Sequence, residues 1–189
     1  MSAKIISAFP ACGKSTFYKK WSQYSPENVW QTSNSGKGIY QHYIGGNKIL
    51  DSDSSLFSWI YDENGNKTDD RNPEFPNNYI QHIKDHMETE DIIFVSSHKV
   101  VRDALREAGI PYTLIYPEKK LKPIFIERCR ERGNSEMFIK FLDDNFENFI
   151  DEMEEETYPD KHILTNSTND DAITVSVMNY IMNNSERIE

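Results

Sequence analysis

Lys4-Ile5-Ile6-Ser7-Ala8-Phe9-Pro10-Ala11-Cys12-Gly13-Lys14-Ser15-Thr16 is the stretch on which the fold turns. Lys4 to Phe9 is a short β-type run, and a helical pattern follows from about Lys14 to Trp21. Between them, Ala8 to Ser15 match G-x-x-x-x-G-K-[ST] except that Ala8 stands where the first glycine is expected. Such a loop works because successive backbone N–H groups point inward at an anion. The lysine reaches the β- and γ-phosphates, the hydroxyl residue binds Mg²⁺, and the next helix presents its positive end. Ala8 is acceptable where the backbone is β-type and needs no positive φ. On this reading Ala11, Cys12, Gly13, Lys14, Ser15 and Thr16 surround the phosphates of ATP. The competing explanation is an ordinary strand–turn–helix junction that happens to contain Gly-Lys-Ser. Ser35-Gly36-Lys37-Gly38 has no strand before it and no helix after it, and reads as a plain turn. Cys12 lies inside the loop, where a helix N-terminus lowers a thiol pKa; a small residue filling space is the simpler role.

Outward from this junction, strands and helices alternate. Lys48–Leu50, Asp91–Val95, Tyr112–Tyr116 and His162–Thr165 are short apolar runs of strand type. Helical spacing runs over Tyr79–Thr89, Lys99–Ala108, Leu121–Arg132, a long stretch capped by Ser135 and reaching about Glu156, and Asn169–Met182. The long helix has Phe138, Phe141, Leu142, Phe149 and Met153 as its expected apolar face. The pattern predicts one α/β domain over residues 1–189 with a parallel sheet of about five strands. Residues 22–47, rich in Ser, Asn, Gly and Gln, read as an insertion, either a mobile loop or a hairpin turning near Asn34–Gly38.

Length and charge narrow the class. At 189 residues the chain buries roughly 70% of its unfolded surface and needs no disulfide or metal staple. With 21 Lys+Arg against 31 Asp+Glu, the net charge of −10 argues against duplex nucleic acid, which demands several phosphate-neutralising cations. No run approaches the ~18–20 apolar residues that span a bilayer, and two cysteines make no disulfide framework. The expectation is a cytoplasmic protein with no membrane and no duplex nucleic acid as partner.

Ligands of parallel α/β sheets bind beyond the carboxyl ends of the strands, so the polar residues there are the candidates. The second strand ends in Asp51-Ser52-Asp53, whose carboxylates project on one side of an extended chain. Beside a phosphate loop they can hold Mg²⁺, with Ser15 and Asp51 as the metal pair, orient an acceptor, or act as a base; the alternative is two solvated aspartates. The third strand ends in Ser96-Ser97-His98-Lys99, followed by Arg102, with no acidic residue at its end. Arg128 and Arg132 share a helix face while Arg130 points away. They can clamp a transferring phosphoryl group or merely pair with Glu127 and Glu131.

The loop, the Asp-x-Asp after the second strand and the arginines together resemble the nucleoside monophosphate kinase-like group of P-loop kinases, which includes adenylate kinase-like and shikimate kinase-like enzymes. Residues 50–55, Phe57-Ser58-Trp59, 72–80 and Val95-Ser96-Ser97-His98-Lys99 are similar to small phage-encoded or phage-derived proteins of that kind. The resemblance implies a three-layer α/β/α fold, ATP and Mg²⁺ as cofactors, and transfer of a phosphoryl group to a nucleoside or deoxynucleoside monophosphate. It implies Lys14, Asp51, Asp53, Arg128 and Arg132 as catalytic residues, an acceptor-binding segment over 54–88 and a short Arg-rich lid over 118–136. The Asp-Gly-Phe-Pro-Arg segment of adenylate kinases is absent. A shikimate- or polynucleotide-type kinase with a hydroxyl acceptor, and a nucleotide-binding regulatory protein without turnover, are the alternatives.

Overall fold

Ile5, Ile6, Ile92, Ile93, Leu114 and Ile115 are too apolar to face water on either side, and they become the centre of a parallel sheet. A computed structural model describes residues 2–15, 17–18, 29–32, 38–44 and 47–165, with the backbone alone for 29–32, 38–44 and 47. The expected helix over Asn169–Met182, and Thr16 of the loop, lie outside the described residues.

The strands are β1 (Lys4–Ala8), β2 (Val29–Thr32), β3 (Gly38–Ile44), β4 (Asn47–Asp51), β5 (Trp59–Tyr61), β6 (Lys67–Arg71), β7 (Ile92–Ser96), β8 (Tyr112–Pro117) and β9 (Asp160–Leu164). The main sheet has the order β2-β3-β4-β7-β1-β8-β9. Its β4-β7-β1-β8-β9 portion is parallel, the five-stranded α/β sheet that the sequence pattern predicts. The chain leaves β1 toward one side of the sheet and leaves β7, its neighbour, toward the other. Sheets with such a reversal bind ligands in the crevice beyond those carboxyl ends. The 22–47 insertion does contain a hairpin. β2 and β3 pair antiparallel, Thr32 opposite Gly38, and β3 joins the sheet edge beside β4 with Tyr40 opposite Asp51.

The helices are α1 (Ser55–Ser58), α2 (Asn77–His86), α3 (Lys99–Glu107), α4 (Lys122–Glu131) and α5 (Glu136–Glu155), with a 3₁₀ turn at Lys119–Leu121. Pro123 sits in the first turn of α4, where its missing N–H costs nothing. Gly133 follows α4 at φ +74°, a left-handed conformation that lets the chain turn sharply into α5. Ser135 then caps α5, its hydroxyl accepting from the Phe138 N–H at 3.2 Å.

The buried face of α5 differs from the expected one. Ile139, Leu142, Phe146, Ile150 and Met153 are buried, whereas Phe138 and Phe149 are half-buried and Phe141 is 54% exposed. The spacing 139-142-146-150-153 follows one unbroken stripe, and Phe141 falls off it, packing on Phe149 at 5.7 Å between ring centroids. Between Trp59 and Arg71 there is order that no sequence pattern announces: β5 and β6 form a separate two-stranded sheet. Its turn is held by Asp62, whose carboxylate accepts the N–H groups of Asn64 and Asn66.

Candidate functional site

The loop after β1 is fixed from beneath. Phe9 is buried in edge-to-face contact with Phe125 of α4 and Phe146 of α5, at 6.1 and 5.2 Å between ring centroids. Its N–H bonds the Ile115 carbonyl of β8. Three rings therefore join the loop, the helix that carries the arginines and the long helix into one unit.

Above this anchor two residues of the loop take left-handed backbone conformations. Ala11 has φ +61° and Gly13 φ +95°. A helical hydrogen bond runs from the Phe17 N–H to the Gly13 carbonyl at 2.7 Å. Ala8 lies within β1 and is not among the positive-φ residues, so the departure from glycine costs the loop nothing. Lys14 curls back over the loop, its Nζ 2.5 Å from the Ala8 carbonyl. Burial pushes the Lys14 ammonium below its usual range; Arg132 acts the same way, and Asp51 and Asp53 oppose it. Burial pushes the Cys12 thiol up to about 12, so Cys12 is a packed thiol rather than an activated one.

Asp51, the last residue of β4, meets the loop directly. The Ser15 hydroxyl donates to Asp51 Oδ2 at 3.2 Å, across 36 residues of sequence. Burial holds the Asp51 carboxyl above its usual range, against the opposing pull of Lys14 and Ser15. A desolvated carboxylate beside a hydroxyl is a hard-oxygen pair that a divalent cation would relieve. Among the described residues no group of three His, Cys, Asp or Glu side chains could hold a metal. Ser15 and Asp51 offer two oxygen donors, the number that Mg²⁺ takes from protein where it keeps several waters. Asp53 is exposed and spends one carboxylate oxygen on the Ser55 N–H at 2.9 Å. Its charge still acts on Lys14 and Asp51, which places it at the same crevice.

The arginine helix divides as its periodicity predicts. Arg128 reaches the loop, with Nη1 3.4 Å from the Ala11 carbonyl and its guanidinium over the Phe125 ring. Arg130 turns away to Glu127. Arg132 is exposed at the end of α4, near enough for its charge to act on Lys14 and Asp51. The stretch 118–136 is nevertheless no detached flap. Leu121, Phe125 and Cys129 are buried, so α4 is rooted in the core and only its charged face borders the crevice.

Two other residues behave differently from what their positions suggest. Arg102 follows the third parallel strand but never reaches the crevice. It is 2% exposed, with Nε 2.7 Å from Glu156 and a hydrogen bond to the Ser97 carbonyl. Tyr112 donates to the other Glu156 oxygen at 2.9 Å. Tyr79 of α2, which periodicity alone marks only as one more large residue, is fully buried with a structural task. Its hydroxyl donates to the Ser52 carbonyl at 2.8 Å and accepts the Ser96 N–H at 3.3 Å, pinning the ends of β4 and β7 to each other.

No protein-family model matches the chain, and neither the search of curated proteins nor that of solved structures found a match. No helix among the described residues is long and apolar enough to cross a membrane.

Proposed function

We propose that the chain is an ATP- and Mg²⁺-dependent phosphotransferase of the P-loop kinase type, with a three-layer α/β/α fold and a nucleoside or deoxynucleoside monophosphate as acceptor. The observation that carries this reading is the meeting of Lys14, Ser15 and Asp51 where β1 and β4 end, at a loop with two left-handed residues. The strand order, with its reversal at β1 and β7, is the arrangement in which such sheets bind nucleotides.

The roles follow from position. Amides of residues 11–15 and the Lys14 ammonium hold the donor phosphates. Ser15 and Asp51 would hold Mg²⁺, which would supply positive charge against the donor's phosphates. Arg128 and Arg132 face charge that develops on the transferring group. An oxygen of the acceptor's phosphate forms a bond to the γ-phosphorus as the bond to the β-bridging oxygen breaks, and ADP leaves. The acceptor is already ionised at neutral pH, so no strong base is required; Asp53 orients rather than deprotonates it. For a hydroxyl acceptor the exposed Asp53 would instead be the base, as in a shikimate- or polynucleotide-type kinase.

Release of ADP measured over a panel of nucleoside monophosphates and hydroxyl acceptors tests the assignment. Turnover with at least one monophosphate is expected. Turnover confined to hydroxyl acceptors would transfer the chain to the second type. ATP binding with no product from any acceptor would leave it a nucleotide-binding regulatory protein.

A further inference from the structure

The β5–β6 hairpin holds two cations that the fold does not use. Lys67 Nζ and the Arg71 guanidinium lie 3.7 and 3.6 Å from the centroid of the Trp59 ring. Both side chains are exposed, and among the described residues neither forms an ion pair, although Asp69 and Asp70 share their strand. A cation at the protein surface gains only a weak attraction from an aromatic face. A charge-assisted, bidentate pair between Arg and phosphate gains more. The stack is therefore a resting place that an anion can empty.

The hairpin is also in the right place. Trp59 follows α1, which begins two residues after Asp53, and Trp59 is paired with Arg71 across the small sheet. The Asn72 N–H bonds the Ser58 carbonyl at 3.1 Å and Tyr61 donates to the Ser55 carbonyl at 3.0 Å, tying the hairpin to the segment leaving β4. Beneath it, Phe57 packs on Tyr79 and His82 of α2. His98, at the end of β7, marks how near Arg71 comes. Burial first, then the charges of Lys14, Arg102 and Arg71, hold its imidazole below the usual range, with Asp53 opposing. Lys14 of the phosphate loop and Arg71 of the hairpin thus act on one ring from two elements. Lys67, paired with Tyr61 toward the turn, is farther along the hairpin.

We propose that this hairpin recognises the acceptor: Arg71 leaves the indole to pair with the acceptor's own phosphate, and the face of Trp59 that it uncovers stacks on the acceptor's base. The ligand class is a flat aromatic base joined to a monophosphate. The word acceptor rests on the phosphotransferase reading; the binding step does not.

Calorimetric titration of the full chain with AMP, GMP, CMP, UMP and dTMP, and with the matching nucleosides, tests it directly. At least one monophosphate is expected to bind, and its nucleoside about tenfold more weakly or worse. Arg71→Ala should bring the monophosphate down to the nucleoside's affinity, and Arg71→Lys should restore part of the difference. Trp59→Leu should weaken nucleotide and nucleoside together. Circular dichroism establishes that each variant is folded, as expected for positions outside the main sheet. The proposal is overturned if no monophosphate binds, if nucleosides bind equally well, or if Arg71→Ala leaves affinity unchanged. Monophosphate binding that depends on Arg71 in a chain without phosphoryl transfer would refute the kinase reading alone. Transfer that Arg71→Ala does not alter would refute this inference alone.

Discussion

Asp51 is a residue whose cost to the fold and whose value to the site have opposite signs. Burial disfavours its charged form, so the ligand-free chain gains little from that carboxylate. Asp51→Asn is expected to unfold in urea at the same or a higher midpoint than the natural chain when Mg²⁺ is absent. The same change should reduce Mg²⁺-dependent phosphoryl transfer by about 10–100-fold or more, since it removes a metal-site oxygen charge. A large loss of stability with full activity would reverse the roles assigned to this residue. Cys12 and Cys129 give a second expectation at this scale. Both are buried, and burial raises the pKa of each thiol. Neither should react with a water-soluble disulfide reagent in the folded chain, and both should react in denaturant; rapid labelling of the native protein would contradict the packing described.

Among the elements, α3 and the end of α5 are joined by the buried Arg102. Removing one member of a buried, hydrogen-bonded ion pair leaves the other charge stranded, typically at a cost of about 3–5 kcal/mol. Arg102→Ala should destabilise the chain by about that amount in urea unfolding. Lys99→Ala, which breaks the exposed Lys99–Asp103 pair, should cost less than about 0.5 kcal/mol. Similar effects of the two would show that the Glu156 contact is not what holds these helices. Helix α2 carries a pH dependence. Burial, then the charge of His86, pushes the His82 imidazole down to about 4, while Phe57 lies 4.7 Å from it ring to ring. The unfolded chain takes up that proton near pH ~6.5. The contribution of His82 is therefore complete above pH ~6.5 and is lost as pH falls toward 4. His82→Phe keeps an aromatic ring and removes the titration, so its stability should fall less steeply than the natural chain's over that interval, and parallel curves would refute the assignment.

These elements also show what could be read from the chain before folding. The core strands were legible because burial on both faces demands unbroken apolar runs such as Ile92–Val95. The ends of α4 and α5 were legible because Pro123, Gly133 and Ser135 each have one position they suit. The β5–β6 hairpin was not, since Lys67-Thr68-Asp69-Asp70-Arg71 has no apolar alternation and its turn is held by the Asp62 carboxylate. The burial of Arg102 was not legible either, because a charged residue soon after a strand suggests the crevice. Only the distant Glu156 and Tyr112, which no local pattern connects to it, draw it inward.

For the molecule as a whole, one sheet reversal brings residues from separate segments to a common crevice: Lys14 and Ser15 from the loop, Asp51 and Asp53 from the strand end, Arg128 and Arg132 from α4. The negative overall charge leaves this cluster as a local exception, cationic where the phosphates are expected. The charge balance makes affinity for polyanions a poor guide and affinity for one triphosphate the proper one. Calorimetric titration of the full chain with ATP and magnesium chloride, repeated with Lys14→Ala, measures that affinity. Saturable uptake by the natural chain, lost in a folded Lys14→Ala variant, is the result expected of a phosphate cradle after β1. No uptake, or equal uptake by both chains, would contradict it.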